Sequence, residues 1–395
     1  MAHFQYHTKK VNMRLASIVV LFALGAFTLV ECQQDAAQEC DPEACQLPTC
    51  RCSSTDIPGG LDKRNTPQFV ILTFDDAVNS QNLETYRSTI YNRRNKLNNC
   101  PIGTTFFVSH EYTEYNGVNE LYNQGFEIAL HSITHVSNQT YWREASTETL
   151  MKEFSDQKSQ MAHFANIPIN RINGVRSPFL QMAGNATFEM MAEANLRYDL
   201  SWPTMAHRDP GLWPYTLHYQ SIQDCFIPSC PTASIPGPWV LPIITWQDLE
   251  GVACSFVDAC FYRPNLDDED GWFRFILMNF ERHYNNNRAP FGFYVHEWFI
   301  SRNVAVHRAF IRFLDMLNNL NDVFMVNAND VIDWVQNPVP IDEYVRQPCR
   351  VNPPSPCRLA NCGPLEGQHN SVSYYMRVCN RCPRNYPWLD NPLGL

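Results

Sequence analysis

The sequence predicts an α/β protein built on a parallel sheet, open or closed into a barrel, and three observations predict it. Short apolar runs alternate with stretches of helical period, the pattern of repeated βα units. The chain has 395 residues of which 45% are hydrophobic, ample material for a buried core. Its 15 cysteines crowd the two ends and thin out between them, so one folded body lies between two ends that disulfides must staple.

The first run, QFVILTF at 68–74, is too short for a helix and rich in β-branched and aromatic residues, as a strand buried on both faces should be. Further strands are predicted at 104–108 (TTFFV), 126–130 (FEIAL), 172–175 (INGV), 290–295 (PFGFYV) and 323–326 (VFMV). Helical period marks 80–97, 118–124, 147–164, 187–195, 271–285 and 304–318. Residues 200–270, rich in Pro, Trp and Cys, fit the alternation poorly and are read as an extended insertion or loop region.

Before this body, Lys9, Lys10 and Arg14 precede an uncharged apolar run at 15–30. That is the layout of a secretory signal over residues 1–32, cut after Cys32, with Met13 an equally good start. The run falls short of the ~20 apolar residues of a membrane anchor, so none is expected. Removal of Cys32 leaves an even number of cysteines for pairing in an oxidising compartment, Cys225 with Cys230 and Cys254 with Cys260 being close enough for local bridges. The expected organisation is a signal at 1–32, a Cys-rich segment at 33–66, a catalytic domain at 67–345 and a Cys-rich tail at 346–395. Sequons at Asn138 and Asn185 suit the same compartment as glycosylation sites. A formal charge of −10, from 30 basic and 40 acidic residues, excludes affinity built on neutralising phosphates, so nucleic acid is not an expected partner.

Function in a parallel sheet is expected at the C-terminal strand ends. The first strand ends in Asp75-Asp76 and the third in His131-Ser-Ile-Thr-His135. Adjacent carboxylates at a strand end are costly unless paired or coordinating a cation, so one could bind metal while the other stays free as a base. Two histidines at i, i+4 with one carboxylate form a set that suits zinc or a similar divalent ion and leaves positions open for water and substrate. Arg176 and His296 fall at two further strand ends. Taken singly, a rim salt bridge and a structural histidine would explain them; taken with Asp75, Asp76, His131 and His135, six coincidences would be required. The Asp267–Asp270 run is read as a solvated loop. Ser132 and Ser177 lack a visible His/Asp relay, and the Glu of a H-E-x-x-H protease is missing between His131 and His135.

The phrases TFDDAVN at 73–79, HSITH at 131–135, RSPF at 176–179 and FYVH at 293–296 resemble, in order and spacing, motifs of the polysaccharide deacetylases of carbohydrate esterase family four. The flanking CDPE at 40–43, IPGG at 57–60 and FFVSHEY at 106–112 are similar to the chitin deacetylases of insects. The resemblance covers about 38–345 and extends to the Cys-rich tail, and it implies a distorted (β/α) barrel with disulfide-stapled ends. It implies Asp75 as general base, Asp76, His131 and His135 as ligands of one divalent cation, expected to be zinc, and His296 as general acid. Arg176 would hold Asp75, and a backbone N–H near Phe179 would face the oxyanion. Motif four is indistinct, with Asp199 the best match for the aspartate that tunes His296 and Trp239 or Trp246 as pocket wall. His110 and Tyr112 are the implied substrate contacts. The resemblance thus implies a secreted monomer, of a gut lining or cuticle matrix, acting on chitin or chitooligosaccharides. No separate chitin-binding module is visible, so soluble or loosely packed chains are the expected substrates. The alternative from another class is a non-catalytic chitin-binding matrix protein using the same groove.

Overall fold

The computed structural model describes residues 36–367 and 369–395. The signal assigned to 1–32, with Cys32 and the cleavage site, lies outside them.

Strand β1 (Gln68–Asp75) is buried along its whole length. It starts a series of parallel strands, β2 (Thr105–Val108), β3 (Glu127–Leu130), β4 (Gly174–Val175) and β5 (Tyr198–Asp199). The region beyond supplies β6 (Pro203–Thr204), β7 (Tyr215–Leu217), β8 (Ile235–Val240), β9 (Ile243–Ile244), β10 (Trp246–Gln247) and β11 (Ala253–Cys254). Strands β12 (Phe291–His296) and β13 (Val323–Met325) return to β1. The main sheet runs β12-β1-β2-β3-β4-β5-β8-β7 with β13 also on β1, and only the β7–β8 pair is antiparallel. Its terminal strands do not pair with each other, so the barrel is distorted and open, a curled half-barrel.

All six strands read from the sequence lie in this sheet. The reading of 200–270 as an insertion needs correction, because β7 and β8 extend the sheet and β5 just before it bridges them to β4. Strands of two or three residues are too short to show a period, and β8 carries Pro236, Gly237 and Pro238, residues that argue against a strand except near an edge.

Helices α1 (Ser80–Thr89), α2 (Tyr115–Asn123), α4 (Thr147–Leu150), α5 (Asp156–Ala165), α6 (Asn185–Glu193), α7 (Glu269–Tyr284) and α9 (Val304–Leu317) fall on the six predicted stretches, whereas α3 (Gln139–Arg143) and α8 (Glu297–Ser301) lie outside them. A further pair, α10 (Ala328–Gln336) and α11 (Ile341–Tyr344), was not foreseen. Helix α1 starts under an Asn79 capping box and stops at Thr89 rather than 97. The segment beyond is rich in asparagine, and Asn92 and Asn99 take left-handed conformations (φ 64° and 56°) that a helix cannot continue through. Between α4 and α5, Met151–Ser155 forms a π-turn.

Side chains sort by strand parity. Val70, Leu72 and Phe74 of β1 join the outer core with the helices, whereas Phe69 and Ile71 join Phe107, Ala129, Tyr198 and Tyr294 in the other core, inside the curl. Thr73 and Asp75 continue the inward series. Seven disulfides pair every cysteine from Cys40 on, including both local bridges expected from spacing. Cys100–Cys349 ties the body to the tail, and Cys357–Cys379 and Cys362–Cys382 brace the hairpin of β14 (Ala360–Glu366) and β15 (Ser373–Val378).

Candidate active site

The C-terminal ends of β1, β3, β4 and β12 bring Asp75, Asp76, His131, His135, Arg176 and His296 together. Asp75 is 6% exposed, and Arg176, fully buried, donates to its carboxylate. Arg176 Nη1 also donates to Thr73 Oγ1 at 2.8 Å and its Nε to the Leu200 carbonyl at 2.9 Å, while its plane lies 4.0 Å over the Phe107 ring. This cage fixes a cation against an inward carboxylate. Burial pushes the Asp75 pKa up, and the Arg176 charge only partly offsets it, so the carboxylate is a better base than an exposed one.

Asp76 should point away from Asp75 by strand parity. Its φ of 81° breaks the alternation and turns the side chain into the same mouth. There Asp76 Oδ1 lies 3.4 Å from His135 Nε2 and 3.9 Å from His131 Nε2, and the three donor atoms all lie within 4.8 Å of one another. Two bonds of ~2.0 Å at a tetrahedral centre would separate ligand atoms by ~3.3 Å, so this set fits a zinc-like ion with little adjustment. His131 Nδ1 sits 2.7 Å from the Arg176 carbonyl, which can only accept. Nδ1 therefore carries the proton and Nε2 presents its lone pair to the cluster. Burial, aided by His135, pushes the His131 pKa down to about 3, keeping it neutral as a ligand must be.

His296 pairs in register with Asp75 on the neighbouring strand. Its Nδ1 is 2.8 Å from Asp258 Oδ2, its backbone N–H donates to Asp258 Oδ1 at 3.2 Å, and Nε2 points toward Asp76, 3.9 Å away. Burial alone would lower the His296 pKa, but the hydrogen bond and charge of Asp258, with Asp75 and Asp76 beyond, outweigh it and raise the value to about 9. The ring is a cation at neutral pH, stacked on Phe256 with centroids 5.2 Å apart.

The aspartate on His296 is thus Asp258, not Asp199. Asp199 is fully buried and accepts from Ser201 Oγ at 2.6 Å and Ser201 N–H at 2.9 Å; Ser201 Oγ in turn accepts from Ser177 N–H at 2.8 Å. It supports the turn after Arg176 from below. Sequence reasoning missed Asp258 because it sits in a short 3-10 turn (Val257–Ala259) within the presumed insertion; the usable signal was its place inside the Cys254–Cys260 bridge.

Other expected substrate contacts also need correction. His110 is 1% exposed, with Nδ1 2.7 Å from Tyr115 Oη and Nε2 2.9 Å from the Pro387 carbonyl, so both ring nitrogens are occupied and the tail covers it. Trp239 is buried in the interior core. Trp246 is buried in the outer one, donating from Nε1 to the Gly292 carbonyl at 2.9 Å. Neither is a pocket wall. Tyr112 and Phe179 remain on the surface, 73% and 48% exposed; Phe179 has a φ of 58° and packs against His135 with ring centroids 5.8 Å apart. Asn138 caps α3, and the Asn185 Oδ1 accepts from the Thr232 and Ala233 N–H groups.

Residues 62–198 match the family model described as Polysaccharide deacetylase. Chitin deacetylase 8 of Bombyx mori is 61% identical over 386 residues, spanning 98% of this chain and 100% of that protein. Chitin deacetylase 1 of Bombyx mori is 36% identical over 376 residues, spanning 91% of this chain and 69% of that protein. Among solved structures, the chitin deacetylase from the fungal pathogen Colletotrichum lindemuthianum is 10% identical with a TM-score of 0.36, covering 67% of this chain and 88% of that one. With such identity along nearly the whole chain, and with Asp75-Asp76, His131/His135, Arg176 and His296 gathered at one mouth of the sheet, this chain belongs to the polysaccharide deacetylases, beside the insect chitin deacetylases.

Proposed function

We propose that this protein is a secreted, metal-dependent deacetylase that hydrolyses the N-acetyl groups of N-acetylglucosamine residues in chitin or chitooligosaccharides, releasing acetate. One observation carries the reading. A two-histidine, one-carboxylate cluster lies between a buried carboxylate held by arginine and a histidinium held by aspartate.

A divalent ion held by Asp76, His131 and His135, zinc being the best match to these donors, would polarise the amide carbonyl and acidify water. Asp75, raised in basicity by burial and held in place by Arg176, accepts a proton from the attacking water. His296 stands across the mouth with its proton on Nε2 and gives it to the departing sugar amine, which otherwise leaves poorly. Asp258 holds that imidazole by Nδ1 and stabilises its charge. The backbone N–H of Phe179, on the turn after Arg176, would face the developing oxyanion, and its exposed ring with Tyr112 offers apolar faces to a sugar. Secretion accords with the seven disulfides.

The test is acetate release from N-acetylglucosamine oligomers of increasing length, with chelator and with added zinc. Release that chelation abolishes and zinc restores is expected. Protein loaded with metal that binds the oligomers yet frees no acetate would overturn the proposal and leave a lectin-like groove.

A further inference from the structure

The loop between the two histidines is held in an uncommon conformation from behind. Ser132 has φ 74° and His135 φ 44°, positive values that side-chain-bearing residues rarely adopt and that persist only where the surroundings enforce them. Four successive backbone N–H groups of this loop point inward, and side chains take all of them. Gln157 Oε1 accepts from Ser132 N–H at 2.9 Å. Glu153 Oε2 accepts from Ile133 N–H at 3.1 Å and from Thr134 N–H at 3.0 Å. Ser132 Oγ accepts from His135 N–H at 3.1 Å. The other Glu153 oxygen accepts from Thr134 Oγ1 at 2.5 Å and Tyr141 Oη at 2.8 Å, so a fully buried carboxylate has four donors on it. Glu153 lies in the π-turn, an irregularity that recurs where a helix serves a site.

The two histidines depend on this support unequally. His131 follows directly from β3, and its ring is anchored by the Arg176 carbonyl. The His135 ring, 31% exposed, has among the described residues no hydrogen-bond partner behind it; its nitrogen faces Asp76, and its position follows from the loop backbone.

Resting on the metal reading above, we infer that Glu153 is a positioning residue of the metal centre: it folds the 132–135 backbone so that His135 meets Asp76 and His131. The carboxylate touches neither ligand atoms nor the substrate mouth. It acts by satisfying two adjacent N–H groups, that of Ile133 jointly with the Glu153 backbone carbonyl at 3.2 Å and that of Thr134 alone; without the carboxylate the Thr134 N–H would be left bare in the interior and would force the loop to reopen toward water.

The experiment compares full-length wild type with Glu153→Ala, Glu153→Gln and Glu153→Asp, titrating zinc against a chromophoric chelator and recording the visible spectrum of the cobalt-loaded proteins. Glutamine still offers one oxygen to both N–H groups and is expected near wild type. Aspartate is too short to reach them, and alanine leaves only the backbone carbonyl of residue 153, which accepts from Ile133 N–H but not from Thr134 N–H; each should weaken zinc affinity by ~10–100-fold, with a cobalt spectrum showing altered coordination. The melting temperature of each metal-free protein separates positioning from general stability. Should Glu153→Ala fail to fold, the contrast between Glu153→Gln and Glu153→Asp decides alone. Equal zinc affinity across the variants, or losses that track the metal-free melting temperature rather than the reach of the acceptor, would overturn the assignment. Asp76→Asn is the control: if wild type takes up zinc and this variant does not, a null result at Glu153 refutes only the present inference, whereas a wild type without zinc refutes the metal reading itself.

Discussion

Two histidines of the same mouth are driven to opposite charge states. His131 is held neutral by burial beside His135, its pKa pushed down to about 3, whereas His296, only partly buried, is raised to about 9 by Asp258. Each half of the site owes its chemistry to what stands behind the ring. Behind His131 is a carbonyl, which fixes a tautomer and leaves a lone pair free; behind His296 is a carboxylate, which stabilises the cation and leaves a proton to give. The halves also differ in construction. The half proposed to hold the metal hangs on the ends of β1 and β3 and the loop after them, and the half proposed to supply the acid on a disulfide-bounded turn leaning over β12.

The largest effect expected separates the halves outright. Asp76→Asn or His131→Ala should abolish tight zinc binding and reduce acetate release by ~10³-fold or more, the several kcal/mol that a Lewis acid supplies. Zinc titration and acetate assay on the same samples check it. Either variant with full zinc affinity would show that the cluster is not the metal site.

Asp258→Asn comes next and should leave zinc binding intact. Loss of the carboxylate is expected to cut kcat by ~10²–10⁴-fold, the range for a misplaced general acid. The pH profile carries the sign. His296 must be protonated to act, so activity falls as pH rises through its pKa; a bound ion cancels the Asp76 contribution and places that limb below 9 even in wild type. Removing Asp258 lowers the pKa further and moves the alkaline limb to more acid pH. The acid limb, set by Asp75 and its arginine, should stay in place. An unmoved alkaline limb would break the comparison between the two halves.

The same division governs what could be read from the sequence. The ends of β1, β3 and β12 were legible because each strand is a run of four to eight buried residues with a functional residue at its end. The inward face of Asp75 follows from parity, but that of Asp76 depends on a left-handed φ that no residue type announces here. Asp258, 38 residues before its partner, belongs to a stretch whose strands are too short for periodicity, and Asp199 drew the assignment only as the best match to an indistinct motif. Burial of His110 depends on Pro387, a contact spanning 277 residues that local pattern cannot carry. Glu153 and Gln157 lie within a readable helical stretch, yet nothing local marks them as buried beneath a loop.

Opening the Cys254–Cys260 bridge by replacing both cysteines with serine tests whether the acid half needs its staple. The loop is short, so the loss of global stability should be modest, about 2–3 kcal/mol. Activity should fall by less than with Asp258→Asn, with zinc affinity unchanged, because the turn still presents the carboxylate part of the time. A drop in zinc affinity would mean that the two halves are coupled rather than separately built.

Asp199→Asn should have the smallest effect on turnover, and its interest lies in what it leaves alone. Its carboxylate touches Ser201, not His296, so neither limb of the pH–rate profile should move. Stability is where it registers. Burial raises its pKa to about 6, with the Ser201 bonds opposing only part of the shift. A carboxyl harder to ionise folded than unfolded contributes stability in acid that is lost as pH rises from about 4 through about 6, by up to roughly 3 kcal/mol for a fully buried group. The amide does not ionise, so melting temperature in the variant should be flatter across that window than in wild type. A shifted alkaline limb in Asp199→Asn would return this residue to the acid histidine and remove Asp258 from the place that its 2.8 Å contact gives it.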